Sequence, residues 1–395
     1  MRSPAPLFLA LLTLAAGCVV VHDGVDYEWS IDDWETASRE ETAELAIASG
    51  DRLVIGGASG DVTVRVAKDV APHFVAKVTG HGETVADAER VRDAFRVVTE
   101  RSGRDVIVRV VGEPVEFGDE NVKMTLEAQV AFSVIVPEGV ALDLRTNSGD
   151  IAASGPFLDC ALDSAYGDVA VTDANGTVTA ASNSGDVRLK NVTGPLAEAR
   201  SSYGDVELAS VRAERIVAKT NSGEVTLAGT DGATEVHSGY GDVTIDRAKG
   251  PLAATSSSGD VVVRRFSARD GGPAKVEVDT GYGKVELDGA FASLDAVSAS
   301  GDVTVIAREA SRVAGAWRVR SGYGNVALTL PGDVACEIDA RTNYGTIETD
   351  FAVRVEAGKV SGKEIRGRIG EGAATGTLRL ESSSGDIALR RLPAD

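Results

Sequence analysis

A glycine recurs through most of this chain at a spacing of about eighteen residues, in surroundings that hardly change. The turns read "TNSGDIAA", "SAYGDVAV", "SNSGDVRL", "SSYGDVEL", "TNSGEVTL", "SGYGDVTI", "SSSGDVVV" and "TGYGKVEL". The units are numbered from Gly149, Gly167, Gly185, Gly204, Gly223, Gly241, Gly259, Gly283, Gly301, Gly324, Gly345 and Gly385. Position −3 is then always Ser or Thr, −1 always Ser or Tyr, and +2 only Val or Ile. Positions −7, −5 and +4 are mostly aliphatic or Ala. The small or apolar set thus runs −7, −5, −3, −1 and then switches parity to +2 and +4. Inward residues of one strand keep a period of two. A parity switch therefore implies a corner, where Gly tolerates a positive φ or a close approach.

Each unit is read as two short half-buried strands that cannot bury their faces alone. Stacking every strand in parallel on its copy in the next unit solves this. The expected fold is all-β, a right-handed parallel β-solenoid of 12–13 coils over residues 141–395, about 60 Å long at ~4.8 Å per coil. Gly60 carries Leu53, Ile55, Val62 and Val64 in the same register and reads as an early coil set apart by an insertion. The stretch 351–377 breaks the spacing and is read as room for one degenerate coil.

Residues 45–140 alternate as long strands, interrupted by "ETVADAERVRDAFRVV". There Val85, Ala88, Val91, Phe95 and Val98 form a helical stripe and Thr84 with Asp87 an N-cap pair, which predicts a helix over 84–98 closing one end of the solenoid.

The first residues, "MRSPAPLFLALLTLAAGC", combine Arg2, a short apolar run and small residues before Cys18, the pattern of a signal peptide over 1–17. "LAAGC" resembles the lipobox of bacterial lipoproteins, which implies acylation of Cys18 and a membrane anchor; an ordinary signal peptide with an incidental Cys is the alternative. The lack of Asp at position 19 implies, by the same resemblance, the outer membrane. Residues 18–44 are acidic with little periodicity and read as a tether, with Trp29 and Trp34 packing on the first strands.

The chain has 60 acidic and 40 basic residues, net −20, which makes nucleic acid and anionic lipid surfaces poor partners. Cys160 and Cys336 do not make a disulfide framework. His22, His73, His81 and His237 show no shared ligand spacing, and neither a nucleophile elbow nor a phosphate loop is present. No catalytic, metal or cofactor site is expected. Each −3 hydroxyl, if inward, needs a partner, and the same hydroxyl one coil away is the expected one. The acids after the glycine, from Asp150 to Asp386, read as turn carboxylates accepting backbone N–H bonds, with calcium dispensable. Tyr166, Tyr203, Tyr240, Tyr282, Tyr323 and Tyr344 all stand at −1, mostly alternating with Ser. They either pack over small neighbours in the corner, or form an exposed row about 9.6 Å apart that stacks on a linear ligand.

The string of "SGDV" and "YGDV" coils behind a secreted, β-rich start resembles the bacterial putative-adhesin family of domains of unknown function, and the head domains of autotransporter-like adhesins are similar. The resemblance covers roughly residues 45–390. It implies a β-solenoid, membrane-anchored or secreted, with no catalytic residue to carry over. The expected role is a lipid-anchored, non-catalytic binding or scaffolding rod of the cell envelope or surface, its partners the membrane and a glycan or another envelope protein. A carbohydrate-active β-helix enzyme or a glycan-binding module is the alternative.

Overall fold

The computed structural model describes residues 19–22, 25–28, 34–118, 123–355 and 360–393; Cys18, its leader and Trp29 lie outside them. Two walls of parallel strands run through most of the molecule. In the first, Leu142 pairs with Cys160, Cys160 with Val178, Val178 with Ala197 and Ala197 with Ile216, and the same register continues to Trp317. In the second, Val62, Ile151, Val169, Val187, Val206 and Val225 stand above one another, and so on to Val326. This is the β-solenoid the repeat implies, and Gly60 opens its first coil beneath Gly149. Ala180, Ala199, Ala218, Ala254 and Ala296, all at −5, keep the core thin.

A third inward position follows a second corner. Phe157, Val192, Val211 and Phe266 are buried beyond the second wall. The corner residue before it is left-handed in successive coils, at Asp173, Asn191, Ser210, Gly229, Arg247 and Arg265. Phe266, Phe291 and Trp317 meet on this side, stacked at 5.9 Å and then edge-on at 6.1 Å.

The first corner differs from expectation at −1. Ser148, Ser184 and all six tyrosines are exposed, while the glycine after them is mostly buried. The inward set is therefore −7, −5, −3, 0, +2 and +4, and the parity changes between −3 and the glycine. The reason lies in the −3 hydroxyl. Ser164 Oγ accepts from its own Gly167 N–H at 2.9 Å and donates to Gly149 O of the coil below at 2.8 Å. Ser182, Ser201, Thr220 and Ser238 repeat this geometry. The ladder thus joins hydroxyl to backbone, not hydroxyl to hydroxyl. Ser238→Ala would leave Gly241 N–H and Gly223 O unpaired in a largely buried corner. It is expected to cost about 2 kcal/mol, with faster amide exchange at Gly241, whereas Ser238→Thr should be tolerated because Thr220 fills the same place.

The last coils are not stacked in chain order. Gly315–Ser321 pairs with Gly376–Ser382, and that strand pairs in turn with Cys336–Thr342. In the second wall Val326 meets Ile387, and Ile387 meets Ile347. The C-terminal coil is inserted between the two that precede it in sequence. Among its described residues the stretch 351–377 holds no degenerate coil. Its strand Glu364–Ile369 runs antiparallel to Cys336–Thr342 and is itself covered by Val353–Arg354 and Val360–Ser361. This hairpin cap needs an outer edge to pair with, which places the coil of Gly345 at the end.

The other end is capped in the same manner. Asp105–Gly112 extends the first wall and pairs antiparallel with Phe95–Ser102. Gln129–Val136 extends the second wall and pairs with His73–Gly82, which pairs with Glu35–Glu44. That last strand corrects the reading of 18–44 as a tether for its final ten residues, Glu35–Glu44. Its sequence, ETASREETAE, buries Ala37 and turns charge outward, as edge strands do to block further pairing; Trp34 beside it is half-buried. The helix spans Val85–Asp93, shorter than expected, with Thr84 as its N-cap accepting from Asp87 N–H at 3.2 Å. Ala88 and Val91 are buried, Val85 is exposed, and Phe95 and Val98 belong to the following strand. The helix lies against Gly82, where a Cβ would fall 2.7 Å from Ala88 N.

Candidate functional site: an exposed tyrosine edge

The turn glycines set the rung spacing. A Cβ on Gly185 would lie 2.6 Å from Asp168 N of the coil below and closer still to Gly167 O. The corner therefore needs glycine for close approach, and its φ is not left-handed.

On one side of this glycine spine the acid ladder takes the role read from the sequence. Asp168 N–H donates to Asp150 Oδ1 at 2.8 Å, Asp186 N–H to Asp168 Oδ1 at 2.8 Å and Asp205 N–H to Asp186 Oδ1 at 2.8 Å. The ladder follows the inserted coil, from Asn325 to Asp386 to Thr346. The Thr346 N–H and then its hydroxyl hold the Asp386 carboxyl below its ordinary range. One oxygen of each aspartate is committed to the backbone and the other is left to solvent or to a cation, as where Arg188 reaches Asp168 Oδ2 at 2.9 Å.

On the other side stand the tyrosines. Their exposure rises from 53% at Tyr166 to 81% at Tyr344. None of the ring–ring or cation–ring contacts among the described residues involves them. The inserted coil has a consequence here that the linear sequence conceals. In sequence Tyr323 and Tyr344 follow one another, but in space Ser384 lies between them. From Ser148 upward the edge alternates without a break, Ser, Tyr, Ser, Tyr, to Tyr344 on the last rung. The rings are not required by the corner, since Ser builds the same corner in every other coil.

The remaining candidate groups are scattered. Burial pushes the Cys160 and Cys336 thiols up to about 12, which leaves both as inert core residues. His81 is held down mainly by burial, and His237 meets Thr255 Oγ1 at 2.9 Å. Among the described residues no three His, Cys, Asp or Glu side chains gather as a metal site. The break in the repeat brings Glu364, Arg366 and Asp339 together as an ion-pair network, with Lys363 bonded to Asn343 O. Asp295 on the first wall is raised, chiefly by burial, with Arg318 3.9 Å away opposing the shift. Among the described residues no helix is long and apolar enough to cross a membrane.

The described residues thus form a parallel solenoid with six exposed tyrosines in one row along its edge. The chain belongs to the Toastrack DUF4097 family, whose model matches residues 58–288 and again 267–390. No curated protein matches the sequence. Among solved structures it is similar to a putative adhesin of Parabacteroides distasonis, at 9% identity and a TM-score of 0.29 over 90% of this chain and 97% of that one. A putative lipid binding protein of the same organism matches at 12% identity and 0.27 over 90% and 97%. A putative cell adhesion protein of Clostridium sporogenes matches at 9% and 0.18 over 91% and 100%.

Proposed function

We propose that this protein is a non-catalytic rod of the bacterial cell envelope, anchored by lipid at Cys18 and presenting its tyrosine edge to a partner. The observation that carries the reading is the edge itself: six rings exposed, in one register, on rungs where the fold asks only for Ser. Large exposed aromatics are unfavourable to leave in water without a use, and aromatic side chains are enriched where proteins bind. The capped ends support a stand-alone rod, because both walls finish in antiparallel strands or short edges that discourage further stacking. The alternative, a carbohydrate-active enzyme, would call on Asp295 with Glu277 on the neighbouring rung. Arg318 faces that carboxyl, and the turn acids spend an oxygen on the backbone, which favours binding without turnover.

Two measurements test this. Cys18→Ala should abolish labelling by a palmitate analogue and release the protein from membranes while its melting curve is unchanged; label retained in Cys18→Ala overturns the anchor. Incubation with envelope polysaccharide should give co-sedimentation and no new reducing ends. Release of oligosaccharide that is lost in Asp295→Asn would establish the enzyme instead.

A further inference from the structure

We infer that the tyrosine edge binds a linear, neutral or amino-bearing glycan lying parallel to the solenoid axis, one disaccharide per tyrosine. The inference rests on the display reading above and specifies its ligand. A row of equivalent rings selects a ligand that is itself linear and periodic. Rings on alternate rungs stand about 9.6 Å apart, two strand spacings. An extended β-1,4-linked glucose or glucosamine chain repeats every two sugars over a closely similar length, and its C–H faces stack on aromatic rings. Unbroken alternation matters for this match. Had the C-terminal coil stacked last, Tyr323 and Tyr344 would sit on adjacent rungs and the period would fail there; Ser384 restores it.

The neighbouring acid ladder decides the ligand's charge and polarity. Asp205, Asp242 and Asp302 each accept the backbone N–H of the next coil on one oxygen and hold the second at the surface. The ladder carries an acid at nine of its twelve turns, with Lys284, Asn325 and Thr346 beside Tyr282, Tyr323 and Tyr344 at the other three; its carboxylates repel polyanions and accept hydrogen bonds. Sugar hydroxyl and ammonium groups donate such bonds. A proline-rich peptide also has a period near this one, about 9.3 Å per turn, yet its backbone lacks the N–H groups that carboxylates require. The donor-rich glycan fits both the rings and the ladder.

The test uses the mature chain and oligomers of two to eight sugars: cello-oligosaccharides, chito-oligosaccharides and glucosamine oligomers, with oligogalacturonate and poly-L-proline as comparators. Affinity by calorimetry should rise with each added disaccharide, be greatest and salt-sensitive for glucosamine oligomers, and be absent for oligogalacturonate. An octamer covers four rings, and Tyr240 and Tyr282 lie in every run of four, so Tyr240→Ser and Tyr282→Ser should each weaken its binding about fivefold, and the triple variant with Tyr203→Ser more. These variants keep their melting temperature, because Ser already serves at −1 in alternate coils, so a lost signal reports the rings and not the fold. Unchanged affinity in the triple variant overturns the site. Tight binding of oligogalacturonate, or of poly-L-proline in place of glycans, overturns the ligand. No binding to any of these oligomers overturns the inference while leaving the anchored rod standing, since the Cys18 and co-sedimentation tests do not depend on it.

Discussion

Val243→Asp is expected to open the middle of the rod, and Thr244→Asp, one residue on, to leave it intact. Val243 is fully buried between Val225 and Val261 on the rungs either side, whereas Thr244 faces solvent between Thr226 and Val262. Losing the buried Val forfeits about 1.5–3 kcal/mol, and an unpaired carboxylate there costs several more. A surface substitution usually stays within about 0.5 kcal/mol. A solenoid's stability is close to a sum over coils and the interfaces between them, so damage shows first as local opening. Hydrogen exchange of Val243→Asp should rise around residues 216–263 before the ends respond. Equal damage from the two aspartates would mean that the inward register of the second wall is misassigned.

The second large effect is expected at the glycine spine. Gly185→Ala places a methyl 2.6 Å from Asp168 N and against Gly167 O, backbone atoms that cannot move aside as a side chain could. The coils must part at this corner. That weakens the bonds Ser182 Oγ to Gly167 O and Asp186 N–H to Asp168 Oδ1, both 2.8 Å, worth about 1 kcal/mol each. With the overpacking strain itself, the loss should exceed about 3 kcal/mol. Gly229→Ala is the control. Gly229 has φ +71° and its Cβ would find nothing nearer than Ser210 N at 3.9 Å, so only the left-handed backbone is penalised, by about 1 kcal/mol. Denaturant titrations of the two variants distinguish a spine closed by contact from one shaped by φ; the reverse order would show that the corner glycines serve conformation rather than spacing.

Chain order, edge and cap are where the sequence reading and the structure part. A run such as ETASREETAE has the composition of a solvated linker and equally that of a charged edge strand, because both must refuse partners; only its pairing with His73–Gly82 separates the two. The outward turn of −1 was hidden because Ser is compatible with either side, and the hydroxyl bond from −3 to the glycine amide that forces it is a matter of three-dimensional geometry. The left-handed corner at Arg247 and Arg265 gave no compositional sign, since stacking on neighbours holds these residues where an isolated chain would place Gly or Asn.

The amino-acid sequence by itself determined the repeat, the parallel stacking and the inward positions −7, −5, −3, +2 and +4. Each of these is written a dozen times over, and every coil must match the one beneath it to bury its half-covered strands. It also placed the six tyrosines on one line. Only the tertiary structure decided which coil lies next to which at the C-terminal end, that the rings face water, and which strands guard the edges. Coils with one pattern are interchangeable as sequence. Their order is set by long-range pairing, where the antiparallel strands Val353–Arg354, Val360–Ser361 and Glu364–Ile369 must cover an outer strand and the final coil must fill the gap behind it.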